Sequence, residues 1–249
     1  MVKEPRPKVN GLPAVLFWGL VWQVGAMVMG NPLLLPTPVQ VLVRLWDLMV
    51  TASFWQITLV SIVRVLLGVV CGIVLGVLLA VLTTNVSLLE VLIAPAMTAM
   101  QATPVASFTI LVLIWLDRDY VPVLICTMMV LPVIWNSVST GIRATDPQLL
   151  EMAKVYRLSP AVRLRRIWFP AVQPFFRAAC SSALGLGWKA GIAAEVLTVP
   201  RESIGRMISE SKLYLMTEDL FAWTLAVVVL SLLLQKIMLR LLAGRNGHA

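Results

Sequence analysis

Long apolar runs separate the charged residues of this chain and constrain its fold more than any motif does. The clearest run extends from Val91 to Leu116 without a charged residue. A helix that crosses a membrane needs about 20 mainly apolar residues. Runs of this kind predict six membrane spans: Leu12 to Met29, Ile57 to Leu82, Val91 to Leu116, Tyr120 to Ile142, Ala171 to Val199 and Leu220 to Leu241. We therefore expect an all-α, polytopic membrane bundle of about six helices, with one domain over residues 12–242 between tails at 1–11 and 243–249.

The composition also excludes most soluble functions. Hydrophobic residues make up 59% of the chain and charged residues 13%, whereas soluble domains are nearer half apolar and a quarter charged. The net charge of +8 comes from basic residues at the ends of the apolar runs, which indicates orientation in membrane lipid and no nucleic-acid partner. The three cysteines and the single histidine, His248, show no metal-ligand or redox spacing. We expect no metal site and no catalytic centre.

The distribution of basic residues predicts the orientation of the bundle. With six spans and a cytoplasmic N-terminus, thirteen basic residues fall on the cytoplasmic side and five on the outer side. Cytoplasmic loops carry the excess of Lys and Arg, so both termini are expected in the cytoplasm. The first run follows Lys3, Arg6 and Lys8 and is interpreted as a retained span, with a signal-peptide core as the alternative.

Two segments between the spans have amphipathic patterns. Pro38 to Val50 is too short to cross a membrane, and its apolar residues recur at helical spacing. Thr37 as N-cap and Pro38 as the first helical residue mark its start. We expect a helix in the outer interface here, and a similar but weaker pattern at 200–219.

Small residues recur at every fourth position in two of the predicted spans. Gly68, Gly72 and Gly76 lie in the second span, and Gly187 and Gly191 lie in the fifth. Positions without a side chain let another helix approach closely, and dispersion contacts hold helices together in lipid. Packing within the bundle is the favoured interpretation, and an interface with another subunit is the alternative.

Polar residues inside the spans are candidates for a translocation path. Prolines at 95, 104, 122 and 132 can kink the third and fourth spans, and polar side chains lie around them. The candidate path residues are Gln101, Ser107, Asn136, Ser182 and Lys189. Hydrogen bonding between helices is the alternative role for such side chains.

Lys189 is the sharpest of these candidates. A charge at the centre of a bilayer costs about 3 kcal/mol on insertion scales, so this ammonium should face a cavity or a partner. Glu195 lies on a different face of the same helix, so the two residues do not form an obvious ion pair. Arg64 lies nearer the outer end of its span and is interpreted as snorkelling to the interface.

The longest cytoplasmic loop, residues 143–170, shows two consecutive helix starts. Asp146 followed by Pro147, and Ser159 followed by Pro160, each read as an N-cap and a first helical residue. The first helix should show Leu149, Leu150, Ala153 and Tyr156 on one side. A rigid, partly apolar loop of this kind can fit a groove on another protein.

The sequence of this loop, EMAKVYRLSPAVRLRRIWFP, resembles the loop of permeases from binding-protein-dependent ABC importers. The family pattern is E-A-A, three residues, Gly, nine residues and I-x-L-P, and Glu151, Ala153, Ile167 and Pro170 match it in register. Met152 and Phe169 depart from it, and Arg157 stands where the family has the glycine that allows a sharp helix end. Further segments are similar to the nitrate, sulfonate and taurine branch, among them LLLPTPVQV, SIVRVLLG, TPVASFTILVLIW and AAEV.

The resemblance implies a permease subunit with a type I importer fold in the bacterial inner membrane. It implies a second permease subunit as a homodimer partner, two ATP-binding subunits docked around Glu151, and an extracytoplasmic solute-binding protein. No GxxxxGK[ST] loop is present, so ATP and magnesium would be bound by the partner ATPase and no cofactor by this chain. The substrate implied is a small anion of the sulfonate, taurine or nitrate type.

Two other functions are alternatives to this one. An ion-coupled secondary transporter would need buried acidic relays, and only Glu195 qualifies. A membrane-embedded enzyme would need titratable groups that converge at one depth, and the sequence offers only Lys189 and Glu195, in isolation. Neither function explains the two capped helices of the 143–170 segment.

Overall fold

The computed structural model describes residues 12–243, which form helices and contain no β-strand. The helices are α1 Leu12–Met29, α2 Pro38–Val50, α3 Ala52–Asn85, α4 Ser87–Ala102, α5 Val105–Val112, α6 Val121–Arg143, α7 Pro147–Val155, α8 Pro160–Arg163, α9 Phe169–Thr198, α10 Ile204–Leu213 and α11 Thr217–Ala243. A π-helical turn, Leu164–Trp168, joins α8 to α9. The predicted all-α bundle is confirmed, and the predicted tails lie outside the described residues apart from Ala243.

The core of the bundle is formed by α3, α6 and α9, which meet at the glycine positions. Gly68, Gly72 and Gly76 are buried on the face of α3 that contacts α6. A Cβ added at Gly72 would lie 2.7 Å from the Cβ of Val130, and one added at Gly76 would lie 2.8 Å from the Cβ of Ile134. The backbones of α3 and α6 are therefore so close at these positions that a residue larger than glycine would overlap α6.

The glycines of α9 make the third side of this core. A Cβ at Gly187 would lie 2.7 Å from Val69, and one at Gly191 would lie 2.5 Å from the sulfur of Cys126. The Thr127 hydroxyl of α6 donates a hydrogen bond to the carbonyl oxygen of Gly68 at 3.1 Å. The glycines of α3 and those of α9 therefore pack within one chain, as the favoured interpretation of their spacing predicts.

The third predicted span is sharply bent at one of the prolines that were expected to kink it. The run from Val91 to Leu116 contains α4 and α5, whose axes differ by 105°. The break falls at Thr103 and Pro104, which both have extended backbone conformations. A residue before proline avoids the helical region, and proline lacks the backbone donor that would continue α4. Pro95 and Pro132, in contrast, lie inside continuous helices.

The number of helices that meet a spanning criterion is smaller than six. Among residues 12–243, α3, α6 and α11 are long and apolar enough to cross a membrane, and the bent pair α4–α5 adds a fourth if it is one span. Helix α1 is apolar but shorter. Helix α9 is long enough, and it contains Arg177, Lys189 and Glu195. Each predicted run contains helix, but length and apolar composition alone support three or four spans.

Loops predicted for the same side of the membrane contact one another. The contacts between predicted outer loops are Arg44 with Asp219, Gln56 with Glu202, the Arg201 amide with Asp119, and Thr217 with the carbonyl of Leu33. At the opposite end, Arg143 pairs with Glu90. The chain therefore has two distinct ends, in agreement with the predicted alternation of loops.

The helix predicted at 38–50 is formed as α2. The Thr37 hydroxyl accepts a hydrogen bond from the amide of Gln40, and the Gln40 side chain accepts one from the amide of Thr37, which makes a capping box. Arg44 pairs with Asp219 of α11, and this hydrogen bond raises the pKa of Arg44. The helix is thereby fixed to α11.

We expect Gly72→Ala to destabilise the protein, because the added methyl group would overlap Val130 of α6. Overpacking of a core costs about 1–3 kcal/mol, which exceeds the gain of about 1 kcal/mol when alanine replaces glycine in a helix. Thermal unfolding of the purified protein should show a lower Tm. Gly19→Ala in α1 is the matched control, since nothing lies within 4 Å of a Cβ there. Equal Tm values for the two variants would contradict the assigned contact.

Candidate functional site

The 143–170 segment has the two capped helices that its sequence predicts. The Asp146 carboxylate accepts a hydrogen bond from the amide of Gln148 at 2.8 Å, and the Ser159 hydroxyl accepts one from the amide of Val162 at 3.4 Å. Pro147 begins α7, and a proline likewise begins α8. The segment is therefore ordered by its own local interactions.

One side of this segment is anchored in the protein and the other is exposed. Ala153 is fully buried and Ile167 nearly so. Glu151 is exposed, and it has no ion pair or hydrogen bond within the described part of the chain. The predicted apolar side of α7 is not buried as a unit, since Leu149 is 44% exposed and Tyr156 is 73% exposed. Glu151 thus stands on an outward surface.

The outward surface of α7 also carries apolar side chains. Met152 and Val155 are exposed and lie on the same side of the helix as Glu151. Together with Glu151 they form what we call the α7 surface. It combines one carboxylate with two apolar groups, a composition suited to contact with another protein.

Arg157 takes the backbone conformation that a glycine would favour. Its φ is +50°, in the left-handed region. The amide of Leu158 donates to the carbonyl of Ala153 at 3.0 Å, and the amide of Arg157 donates to the carbonyl of Lys154 at 3.1 Å. This is the Schellman arrangement that ends a helix sharply. The turn therefore forms at the predicted position, with an arginine in a conformation that costs about 1–2 kcal/mol.

The candidate path residues are all exposed in the single chain. Ser182, Leu186, Lys189, Ala193 and Leu197 form one exposed stripe on α9 at helical spacing, which we call the Lys189 stripe. Within residues 12–243, no hydrogen bond or ion pair reaches Lys189.

The remaining path candidates lie on the neighbouring helices α4, α5 and α6. Gln101, Ser107 and Asn136 are exposed there. Helix α5 packs on α9 through Val112, Ala190 and Ala194, which brings the element carrying Ser107 next to the helix carrying Lys189. Gln101 lies just before the bend at Pro104. The surface thus offers an unpaired ammonium with polar groups on adjacent helices, an arrangement that can attract an anion.

Comparison with known families decides the identity of the chain. A family described as "binding-protein-dependent transport system inner membrane component" matches residues 72–244. The chain belongs to this family. It is an ABC importer permease, a transport protein integral to the membrane, and ATP hydrolysis occurs in partner subunits.

Several curated permeases are similar over most of their length. The riboflavin transport system permease protein RibX of Chloroflexus aurantiacus is 30% identical, over 92% of this chain and 89% of its own. The putative aliphatic sulfonates transport permease protein SsuC of Bacillus subtilis is 26% identical over 99% and 92%. The taurine transport system permease protein TauC of Escherichia coli is 22% identical over 86% and 80%.

A solved structure supports the permease fold. The crystal structure of an amino acid ABC transporter with histidines superposes with a TM-score of 0.61 and covers 81% of this chain and 94% of that one. The identity is 15%, so the likeness concerns the fold.

The interpretation of Arg64 as a snorkelling residue is wrong. Its side chain is largely buried, and its Nη1 donates to Oε1 of Glu195 at 2.8 Å. Glu195 is fully buried in this permease. The sequence signal for this pair was the carboxylate of Glu195 within a span, because such a group requires a cation or several donors nearby. Its partner Arg64 lies on another helix, so no spacing rule connects the two residues.

We expect Arg157→Gly to stabilise the end of α7, because glycine adopts the left-handed conformation without steric cost. A gain of about 1 kcal/mol would slow hydrogen exchange of the Leu158 amide about fivefold. Hydrogen–deuterium exchange of peptides covering 150–160 measures this. Lys154→Gly, within α7, is the control and should speed the exchange. An unchanged or faster rate in Arg157→Gly would contradict the strain assigned to Arg157.

Proposed function

We propose that this permease forms the translocation path of an importer and couples to a separate ATPase subunit through the 143–170 segment. The observation that carries the proposal is the exposed Glu151 on the α7 surface, held on a segment that Ala153 and Ile167 anchor in the bundle. A preordered surface loses little conformational entropy when a partner binds. Glu151 lies beyond the first turn of α7, where the helix dipole does little for a carboxylate, so a contact role accounts for it better than a local one.

The path from this segment into the bundle supports coupling. Residues 160–198 run without a break through α8, the π turn and α9. A displacement of the segment would therefore move α9 and the Lys189 stripe directly. In the proposed cycle, ATP closure of two ATPase subunits brings two 143–170 segments together, and the bundle opens to accept solute on the other side.

The proposed assembly contains two copies of this permease, two ATP-binding subunits that hold ATP and magnesium, and an extracytoplasmic solute-binding protein. Within the segment, Asp146 caps α7, Arg157 ends it, and Ile167 and Pro170 join the segment to α9. The charge distribution supports cytoplasmic termini and a cytoplasmic 143–170 segment.

The proposed substrate is a small anion of the sulfonate, taurine or nitrate type. The exposed, unpaired Lys189 supports an anion, and Gln101, Ser107, Asn136 and Ser182 would supply polar contacts along the path. SsuC and TauC carry sulfonate and taurine in their names, whereas RibX carries riboflavin. Riboflavin is the second candidate, because RibX is 30% identical.

We expect Glu151→Lys to abolish or strongly weaken capture of the ATPase subunit, since it places a cation where the partner would bind a carboxylate. The loss of a charged hydrogen bond is worth about 1.5–3 kcal/mol. Affinity purification of the tagged permease, with the ATPase subunit quantified per permease, measures this.

Glu202→Lys makes the same charge change at the opposite end of the bundle and should retain the ATPase subunit. If the segment instead rests on anionic headgroups, Arg165→Glu and Arg166→Glu would release it from lipid and Glu151→Lys would have no effect. A Glu151→Lys variant with a full complement of ATPase would contradict the docking role.

We expect Lys189→Met to reduce uptake of taurine by about tenfold or more, as the loss of one charged interaction predicts. Proteoliposomes that contain the whole transporter would be tested with radiolabelled taurine and with riboflavin. Lys189→Arg should keep uptake, and Lys236→Met, on the exposed side of α11, is the control. Unchanged taurine uptake in Lys189→Met would remove Lys189 from the path. Riboflavin uptake that does not depend on Lys189 would favour the second candidate.

A further inference from the structure

We propose that Glu195 is a positioning residue that fixes α10 to α9, so that the end of the bundle carrying α10 moves together with the Lys189 stripe during transport. The proposal rests on the proposed function, since it assigns the unit that moves. It concerns residues outside both the 143–170 segment and the candidate path.

The first part of the argument is the set of groups around the Glu195 carboxylate. Oε1 accepts from Arg64, and Oε2 accepts from the Ser61 hydroxyl at 2.8 Å and from the amide of Gly205 at 3.2 Å. All three partners are donors, which suits an ionised carboxylate. Glu195 therefore connects three helices, α3, α9 and α10, through one buried group.

The second part is the start of α10. The amide of Ile204 donates to the Ser61 hydroxyl at 2.9 Å, and the Ser203 hydroxyl accepts from the amide of Arg206 at 3.0 Å. With Gly205 bound to Glu195, three amides of the first turn are bound by side chains. The first amides of a helix have no partner within it, and here α3 and α9 supply two of the three. Helix α10 is thus attached to the bundle through its own N-terminal backbone.

The contact between α10 and α9 is also close. A Cβ added at Gly205 would overlap the backbone carbonyl carbon and the Cβ of Glu195. The first turn of α10 therefore lies directly on the α9 backbone. Any side chain at residue 205 would separate the two helices and pull the Gly205 amide away from the carboxylate.

The third part is the connection between α9 and α10. Arg64 donates to the carbonyl oxygen of Arg201 at 3.2 Å, and Asp119 accepts from the Arg201 amide at 2.8 Å. Val199 and Glu202 both have φ values in the left-handed region, at +49° and +45°. Non-glycine residues persist in that region only where the surrounding contacts determine the conformation. Arg64 and Asp119 supply such contacts, so the connection is a fixed one.

These features give Glu195 a role in transport because α9 also carries the candidate path residue Lys189. The same helix bears Lys189 and continues without a break into the 143–170 segment. A buried ion pair often stabilises a fold less than apolar packing of the same volume would, but it fixes one specific arrangement. The carboxylate of the ion pair between Arg64 and Glu195 fixes α10 to α9, and α9 is the helix that links the Lys189 stripe with the 143–170 segment. A binding protein that presses on α10 would therefore act on α9.

The first experiment uses the whole transporter in nanodiscs with the Glu195→Gln variant, which keeps the size of the side chain and removes its charge. Exchange of the amides of 204–206 should rise about tenfold, as expected for the loss of charged hydrogen bonds. ATP hydrolysis stimulated by the binding protein should fall about tenfold, while hydrolysis without it stays unchanged. Asp219→Asn is the matched control, because it removes an ion pair between α2 and α11 and should alter neither quantity.

The second experiment replaces the hydrogen bonds of Glu195 by a covalent cross-link between α3 and the connection that leads into α10. Gln56 and Glu202 are hydrogen-bonded at 3.1 Å, so Gln56→Cys with Glu202→Cys can be joined by a short thiol cross-linker after the native cysteines are changed to alanine. The cross-link should leave stimulated hydrolysis intact in the protein with Glu195 and restore it in the Glu195→Gln variant. A stability role alone would not predict that rescue.

Several outcomes would overturn the proposal. Inhibition by the cross-link in the protein with Glu195 would mean that the α10 end must move relative to α3. Wild-type exchange at 204–206 in Glu195→Gln would mean that the carboxylate does not hold α10. A parent transporter without stimulated hydrolysis would count against the proposed function, whereas the exchange measurement would still decide whether Glu195 holds α10.

Discussion

The close approach of α3, α6 and α9 is the contact on which the rest of the structure depends. In lipid there is little hydrophobic gain from bringing two apolar helices together, so association relies on dispersion contacts that need short distances. Gly68, Gly72 and Gly76 give α6 those distances along about two turns of α3, and Gly187 and Gly191 give them to α9. Side chains of intermediate size then fill the seam, as Val130 does between Gly72 and Gly187. Because this seam is closed by backbone contact, α9 has a fixed rotation about its axis. That rotation turns Glu195 into the protein and Lys189 away from it.

The same constraint explains where the polar groups of the bundle go. A polar side chain removed from water needs a partner, and buried hydroxyls such as those of Thr109 and Thr198 bind the carbonyl four residues earlier in their own helix. Other buried groups bind a carbonyl of a neighbouring helix. Thr127 reaches Gly68, and the indole of Trp188 donates to the carbonyl of Val227 at 3.2 Å. Glu195 cannot use a carbonyl, since a carboxylate only accepts, and so it draws its donors from Arg64, Ser61 and the start of α10. Lys189 is the contrasting case, because its ammonium lies on the exposed stripe of α9 and binds no group in residues 12–243.

Local signals in the sequence predicted more of this structure than long-range ones did. Thr37, Asp146 and Ser159 each act as the cap that their neighbouring proline indicates, since the cap and the amide it binds are only two or three residues apart. Which proline breaks a helix was not predictable in the same way. Pro95 and Pro132 remain within helices that neighbours support, whereas Pro104 separates α4 from α5. The partner of Glu195 lies 131 positions away at Arg64, and no periodicity relates two residues on different helices. The face of α7 that packs inward was only partly predicted, because Tyr156 lies after the last turn and follows the Schellman geometry instead of the helical one.

Pro170 shows how a residue that resembles a stop signal can preserve a helix. The sequence predicts a loop up to Pro170 and a span from Ala171, but the helix already runs through that position from α8. A proline ring clashes with the carbonyl four residues earlier and offers no amide to it. In this chain the turn before Pro170 is a π turn, in which the amide of Phe169 donates to the carbonyl of Leu164, five residues back. The wider turn makes room for the ring and keeps the axis continuous, which is a common use of π turns at functional positions. The contrast with Pro104 is that the chain there has an extended Thr103 before the proline and no wide turn, so its axis bends by 105°. The proposed coupling would need the first arrangement, because a bend of the second kind would absorb a displacement of the 143–170 segment before it reached Lys189.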